Sequence, residues 1–268
     1  AVSSTAAELN LLDGLDRGSI LYGNASSATT VLGQGSADQV LTSDGTDISW
    51  EDASAGVSGL TGLVENSSIW LGSDPNATTD TAADCAALGA TALDSITTGD
   101  KNTAIGSQAA TAITTGYNNT LVGHNAGASL ATSYNNTFIG VYAGDANVAA
   151  YSCTSIGYNA GSTAHGNGCT FIGEGAGLNV TGSGSYQNTA VGQGAMAGAA
   201  DDFANTAIGH YALVGLIGSR YTTALGKNAG AANTTGDYNT HIGALAGDAI
   251  TTGANNVCLG YDSGSDAL

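Results

Sequence analysis

A short segment ending in glycine recurs at a nearly constant interval over the last three quarters of the chain, and this repeat constrains the fold most. Close variants of Asn136-Thr137-Phe138-Ile139-Gly140 end at twelve glycines, called here the marker glycines. They are Gly72, Gly89, Gly106, Gly123, Gly140, Gly157, Gly173, Gly192, Gly209, Gly226, Gly243 and Gly260. Their spacing is 17 residues except for one interval of 16 and one of 19, whose two extra residues fall within 179–186 and are predicted to form a bulging loop. A globular core with uneven loops has no reason to keep such a period, so the chain is predicted to be a stack of equivalent coils.

The position immediately before the marker glycine, called here the aliphatic column, carries an aliphatic side chain in every copy. It consists of Leu71, Leu88, Ile105, Val122, Ile139, Ile156, Ile172, Val191, Ile208, Leu225, Ile242 and Leu259. Because each coil places one such side chain at the same point, this column is predicted to be the structural core.

Three further positions of the repeat have their own preferences. The threonine column lies three residues before the marker glycine and comprises Thr103, Thr120, Thr137, Thr154, Thr170, Thr189, Thr206, Thr223 and Thr240. Since strand side chains alternate between faces, it shares a face with the aliphatic column. Four residues before the glycine, Asn predominates and is predicted to form a ladder of side-chain amides; three residues after it, Ala marks a place where only a small side chain fits.

Each period is long enough for about two short strands and two glycine-marked corners, which is too little to bury a core alone. The predicted fold is therefore all-β: a parallel β-solenoid or β-roll of about twelve 17-residue coils over residues 67–268. Eleven steps of ~4.8 Å give a rod roughly 50 Å long. Apolar residues two before the marker glycine, such as Trp70, Leu121, Phe138 and Phe171, are expected to face outward, where trimerisation would bury them.

Residues 1–55 lack the repeat and are predicted to form an N-terminal adaptor. Thr5 and Glu8 form the capping box of a short helix that Gly14 can end. Further on, short apolar runs occur at 20–22 and 31–32, and Asp44-Gly45, flanked by 39–43 and 46–50, indicates a β-hairpin. Residues 56–66 are interpreted as a connector to the solenoid.

Composition excludes several kinds of partner. With four basic and 22 acidic residues, the formal charge of −18 should repel phosphate backbones and anionic membrane surfaces, so neither nucleic acid nor membrane insertion is expected. No apolar run approaches the ~20 residues needed to span a bilayer. The four histidines share no metal-ligand spacing, so no metal or cofactor is predicted.

Three cysteines, Cys85, Cys153 and Cys169, occupy the asparagine position, and Cys258 lies two before its marker glycine. Cys153 and Cys169 are neighbours in adjacent coils. Their predicted Cα spacing is within disulfide range, but parallel side-chain vectors make poor disulfide geometry, so free, buried thiols are favoured.

Tyrosines occupy positions that vary from coil to coil, which indicates an outer surface. The candidate receptor-facing residues are Tyr117, Tyr134, Tyr158, Tyr186, Tyr211, Tyr238 and Tyr261. Aromatic rings there could stack on sugars. In the alternative interpretation they only cover the coil edge or a subunit interface.

Two resemblances join these observations. Asn-Thr-Ala-Ile-Gly at 102–106 and 205–209, each followed by Ala three residues on, resembles the repeat of trimeric autotransporter adhesin heads, which are trimers of parallel β-rolls. The N-terminal segments 5–14 and 37–50 resemble segments of bacteriophage tail fibres, especially of marine phages. The resemblance implies a homotrimeric tail fibre on the virion, outside the cell. Its N-terminal module would bind other tail proteins, and its shaft would bind a host-surface glycan or protein.

Three alternatives stay open. A bacterial surface adhesin head would share the roll. A glycan depolymerase of the tailspike kind needs paired carboxylates, and the rod offers little for this purpose. Glu174 is its only glutamate beyond the first coil, and Asp201 and Asp202 are interpreted as solvated corner residues, so no catalytic residue is predicted. Regular threonine rows could bind ice, but the threonine column is expected to share its face with the core, which disfavours this function.

Overall fold

The computed structural model describes residues 19–23, 26, 29–36, 39–43, 48–52, 62–65, 67–72, 81–148, 150–163, 166–180 and 185–265. Two compact units divide the chain, Ala1–Thr61 and Gly62–Leu268. The described residues contain strands and turns but no helix. The fold is therefore all-β, as predicted.

The described residues of the first unit form two antiparallel pairs of strands. Strand β1 (Ile20–Gly23) pairs with β2 (Thr29–Leu32), and β3 (Gln39–Ser43) pairs with β4 (Ile48–Asp52). The second pair confirms the hairpin predicted around Asp44-Gly45. The predicted helix between Thr5 and Gly14 lies outside the described residues.

In the second unit, the described residues form one sheet of 13 strands, ordered from β5 to β17 along the chain. The strands are β5 (Gly62–Glu65), β6 (Ser68–Gly72), β7 (Ala86–Gly89), β8 (Thr103–Ile105), β9 (Thr120–Val122), β10 (Thr137–Ile139), β11 (Thr154–Ile156), β12 (Thr170–Ile172), β13 (Thr189–Val191), β14 (Thr206–Ile208), β15 (Thr223–Leu225), β16 (Thr240–Ile242) and β17 (Val257–Leu259). β5 pairs antiparallel with β6, and all later pairs are parallel. β5 extends the solenoid into the predicted connector.

Successive coils pair in register, so each residue lies beside its counterpart one repeat away. Thr137 pairs with Thr120 on one side and with Thr154 on the other. This confirms the predicted parallel β-solenoid. The prediction of two strands per coil is wrong for the described residues, because from β8 onward each coil contains one three-residue strand. Turns and a few isolated parallel bridges, such as that between Tyr134 and Tyr151, form the rest of the described circuit.

The two irregular intervals do not interrupt the sheet. Thr170 pairs with Thr154 across the 16-residue interval and with Thr189 across the 19-residue interval. The length difference is therefore absorbed away from the strands. The bulge predicted for the longer interval falls partly on residues 181–184, which lie outside the described residues.

The prediction of which strand face is buried is wrong. Side chains two before the marker glycine, called here the inward column, point into the coil, and Trp70, Leu121, Phe138 and Phe171 are almost completely buried. The aliphatic column instead points outward, and Ile105 is 40% exposed. Its remaining members between β9 and β17 are half-buried or exposed: Val122, Ile139, Ile156, Ile172, Val191, Ile208, Leu225, Ile242 and Leu259. Alternation fixes which columns share a face, but it does not decide which face is inside.

The coil interior is narrow and is filled by compensating sizes. The inward column faces a second column, four residues after the marker glycine. Large inward residues face glycine in the pairs Leu121/Gly127, Phe138/Gly144, Phe171/Gly177 and His241/Gly247, and alanine faces a large residue in Ala87/Leu93, Ala190/Met196 and Ala207/Leu213. Other coils combine two small residues, in Ala104/Ala110, Ser155/Gly161 and Ala224/Gly230. A Cβ atom on Gly144 would overlap the Phe138 ring. Close packing inside the coil therefore couples the two positions.

The alanines three residues after the marker glycine confirm the prediction that only a small side chain fits. All nine are completely buried: Ala109, Ala126, Ala143, Ala160, Ala176, Ala195, Ala212, Ala229 and Ala246.

The marker glycines are required for two reasons. Gly106 has a φ of 133°, which side-chain-bearing residues rarely adopt. A Cβ atom there would also lie 2.5 Å from the carbonyl oxygen of Gly123 in the next coil. Glycine thus allows successive coils to approach closely at this corner.

Candidate interaction surfaces

The outward side of the sheet is a continuous stripe of threonine and aliphatic side chains. We call it the outer strand face and define it as the threonine and aliphatic columns of strands β8–β16. Its threonines are half-buried, apart from the exposed Thr223, and its aliphatic residues include Ile139 at 37% and Ile208 at 39% exposure. The face contains only Thr, Ile, Val and Leu. These two columns share one face, as predicted from the sequence, but that face points out of the coil and not into it.

Regular pairing makes this stripe a nearly uniform lattice. Neighbouring strands are ~4.8 Å apart, and residues two apart along a strand are about 6.7 Å apart. The eight steps from β8 to β16 therefore make a stripe about 38 Å long. β-branched side chains predominate, which keeps the side chains stiff.

The seven tyrosines predicted to face a receptor fall at two corners rather than in one row. Tyr117, Tyr134 and Tyr186 lie six residues before their marker glycines, and Tyr238 lies five before. The rings of Tyr117 and Tyr134 are stacked, with centroids 5.0 Å apart and planes 4° apart. Tyr238 stacks in the same manner on Tyr221, at 5.2 Å. One face of each stacked ring is therefore covered by its neighbour.

The other corner, just after the marker glycine, holds Tyr158, Tyr211 and Tyr261. Tyr158 is 52% exposed, and its ring meets that of Tyr142 edge-on, with an interplanar angle of 79°. Tyr211 meets His210 at 60°. Edge-on contacts leave more ring face open than stacking does, so this corner is the better candidate for contact with a sugar ring.

Inside the coil, the predicted ladder of asparagine amides is confirmed. The backbone N–H of Asn119 donates to Oδ1 of Asn102 at 3.1 Å, and its Nδ2 donates to the same oxygen at 3.0 Å. Asn136 repeats both bonds to Asn119. All three residues are at most 1% exposed. The ladder satisfies polar groups that would otherwise be costly to bury.

The cysteines that replace asparagine are free and buried, as predicted. The Cys153 thiol donates to the carbonyl oxygen of Gly166 at 3.0 Å. The hydrogen bond between the two thiols, together with burial, raises the pKa of Cys169. The pair is therefore a packing element of the coil interior.

Two buried ionisable groups were not recognised as such from the sequence. Asp202, predicted to be a solvated corner residue, is fully buried. Its Oδ1 accepts the backbone N–H of Ser219 at 2.8 Å, whereas its Oδ2 has no hydrogen-bond partner. Burial raises the pKa of Asp202 from 3.8 to about 7. The useful signal was its column, seven before the marker glycine, where Ser185 and Ser219 occupy the adjacent coils.

His241 occupies the inward column, where most other coils carry alanine, leucine or phenylalanine. It is fully buried, neither ring nitrogen has a hydrogen-bond partner, and burial lowers its pKa. The imidazole is therefore held neutral by the coil interior.

The acidic and metal-ligating side chains of the described residues do not gather into a metal site. Nowhere in them do three or more His, Cys, Asp or Glu side chains form a group that could hold a metal ion. Glu174 accepts a hydrogen bond from Nε2 of Gln193 at 3.2 Å, far along the chain from the buried Asp202. A search for membrane-spanning helices in the same part of the chain finds none of sufficient length and apolarity.

No protein-family model, curated protein or solved structure matches the chain.

Proposed function

We propose that this chain is the shaft of a phage tail fibre, a homotrimer that attaches a virion to a host surface without catalysis. The observation that carries the proposal is the in-register solenoid, which repeats each outward position at ~4.8 Å steps along at least ten coils. Such rows suit many weak contacts along an extended partner better than one concave site does. Three chains multiply these contacts through avidity.

In this proposal the N-terminal unit binds other tail proteins, and the shaft binds a host-surface glycan or protein. The corner that holds Tyr158 and Tyr211 is its candidate contact row, because those rings are least covered by one another. A bacterial surface adhesin head would use the same shaft in the same way.

Solution mass and glycan binding test the proposal together. Light scattering on the full chain should give three times its 26.1 kDa. An array of surface polysaccharides should retain the labelled protein, and the bound polysaccharide should keep its chain length. Shortening of the polysaccharide would instead establish a depolymerase, and a trimer that binds no host surface or polysaccharide would contradict the attachment function.

A second candidate function, ice binding, is favoured by the outward orientation of the threonine column. A flat sheet with threonine rows at ~4.8 Å spacing could order water in a lattice-like pattern. This function needs the outer strand face open to solvent, so it applies to a monomer. A monomeric mass together with inhibition of ice-crystal growth would select it over the fibre.

A further inference from the structure

We propose that the outer strand face is the surface on which copies of this chain meet, parallel and in register around a common axis. This inference rests on the proposed trimeric fibre and names the surface that builds it. It replaces the interface expected from the sequence, since Leu121, Phe138 and Phe171 are already buried inside each coil.

The distribution of charge favours the outer strand face as the interface. Each chain has a formal charge of −18, so association brings together strongly like-charged molecules. The outer strand face carries no ionisable side chain over nine successive strands. The row just after the marker glycine, in contrast, includes Glu174, His210 and Lys227. Copies can therefore approach on the strand face without burying an unpaired charge.

The size of the outer strand face also favours an interface. A stripe about 38 Å long, with columns about 6.7 Å apart, covers roughly 250 Å² between column centres before the side-chain rims are counted. Ile, Val and Leu side chains line one edge of it throughout, and an extended exposed apolar stripe of this kind marks an interaction site. The threonine hydroxyls at its edge allow contacts between chains to include hydrogen bonds.

The uniform side chains of the outer strand face indicate that the partner is another copy of this chain. Side chains in the aliphatic column vary only among Ile, Val and Leu, whereas those just after the marker glycine range from Ala244 to Tyr158. A long stripe of side chains of nearly constant size fits a surface that repeats with the same period. The same face of a second copy of the chain has this period. Parallel alignment keeps every coil opposite its equivalent.

Single-cysteine cross-linking tests both the face and the direction. Ile139→Cys, Ile172→Cys and Ile208→Cys each place a thiol on the outer strand face at sites of 37–39% exposure. The matched control is Val141→Cys, which is 39% exposed but lies after the marker glycine. The unchanged chain, whose four native cysteines are buried, is the blank.

We expect oxidation to give disulfide-linked chains from all three face variants and little from the control or the blank. In an antiparallel dimer, a residue can lie beside the same residue of the partner only where it sits at the two-fold axis. Disulfides at all three positions therefore require chains that are parallel and in register. A trimeric mass with cross-linking at Val141→Cys but not on the face would overturn the inference while leaving the fibre intact. A monomeric mass would contradict the trimeric fibre itself.

Charge insertion gives an independent readout. Ile139→Glu combined with Ile172→Glu should lower the solution mass from trimer to monomer at equal protein concentration. Val141→Glu combined with Tyr158→Glu should leave it unchanged. Circular dichroism separates dissociation from unfolding, and a trimer that persists in the folded face variant would overturn the proposal.

Discussion

The size compensation inside each coil predicts a strong energetic coupling between Phe138 and Gly144. Phe138 is fully buried, so Phe138→Ala should destabilise the fold by about 3–5 kcal/mol through lost burial and a cavity. Gly144→Met places a side chain where the Phe138 ring lies and in a backbone with φ of 59°, which together should cost about 3 kcal/mol.

The double variant Phe138→Ala with Gly144→Met should recover much of this loss. It copies the arrangement of Ala190 and Met196, where the methionine adopts φ of 52° and is fully buried. Its destabilisation should be about 3 kcal/mol smaller than the sum of the two single changes. Urea unfolding at one fixed protein concentration, followed by circular dichroism, measures the difference.

A mismatched pair provides the control. A Cβ atom on Gly127 would meet Leu121 and Leu130 rather than Phe138, so Phe138→Ala with Gly127→Met should show no comparable recovery. If the matched and mismatched pairs are equally unstable, the two columns do not share one space, and the reasoning about the coil interior is refuted.

Three further predictions concern single positions. Burial raises the pKa of Asp202 from 3.8 to about 7. Between these two pH values the carboxyl group keeps its proton in the folded chain but releases it in the unfolded chain. Compared with a neutral residue at this position, Asp202 therefore lowers the free energy of unfolding as the pH rises through this range. Asp202→Ser should therefore have little effect on the urea midpoint at pH 4 but stabilise by up to roughly 4 kcal/mol at pH 8, and an equal effect at both pH values would contradict it. Burial lowers the pKa of His241 in the folded chain, so stability is lost as the pH falls below the pKa of this histidine in the unfolded chain. His241→Leu should therefore give a larger gain in melting temperature at pH 5 than at pH 8. Gly140→Ala introduces a methyl group against the carbonyl oxygen of Gly157 and should lower the free energy of unfolding in urea by about 3 kcal/mol or more. Gly218→Ala is the control, because open space surrounds Gly218, and it should cost about 1–2 kcal/mol. Similar losses of stability in the two variants would show that close stacking is not the reason for the marker glycine.

The repeat was sufficient to predict most of the solenoid. Seventeen-residue spacing identified the strand of each coil, the corner glycines and the asparagine ladder, because each of these needs a particular residue type at a particular point. Register followed as well, since equivalent residues can align only when every coil has the same path. Even the 16- and 19-residue intervals left the strands in register, because Thr154, Thr170 and Thr189 still pair.

The candidate surfaces were only partly predictable. Uniform aliphatic residues were interpreted as buried, yet Ile139 and its equivalents point outward, whereas the variable inward column, with Phe138 and Ala190, is buried. In most coils, variation there is compensated by the column four residues after the marker glycine, a correlation that is already visible in the sequence. Stacking of Tyr117 on Tyr134 depends on ring orientation, which spacing does not specify.

The sequence by itself determined the period, the parallel register and the grouping of residues into two alternating faces, because these follow from spacing and from the two-residue repeat of a strand. Only the tertiary structure decided which face closes around the interior. That choice depends on the direction in which the turns bend the chain, and on whether side chains six residues apart fill one narrow space. It buried Asp202 and His241 and left a charge-free stripe of threonine and isoleucine facing outward.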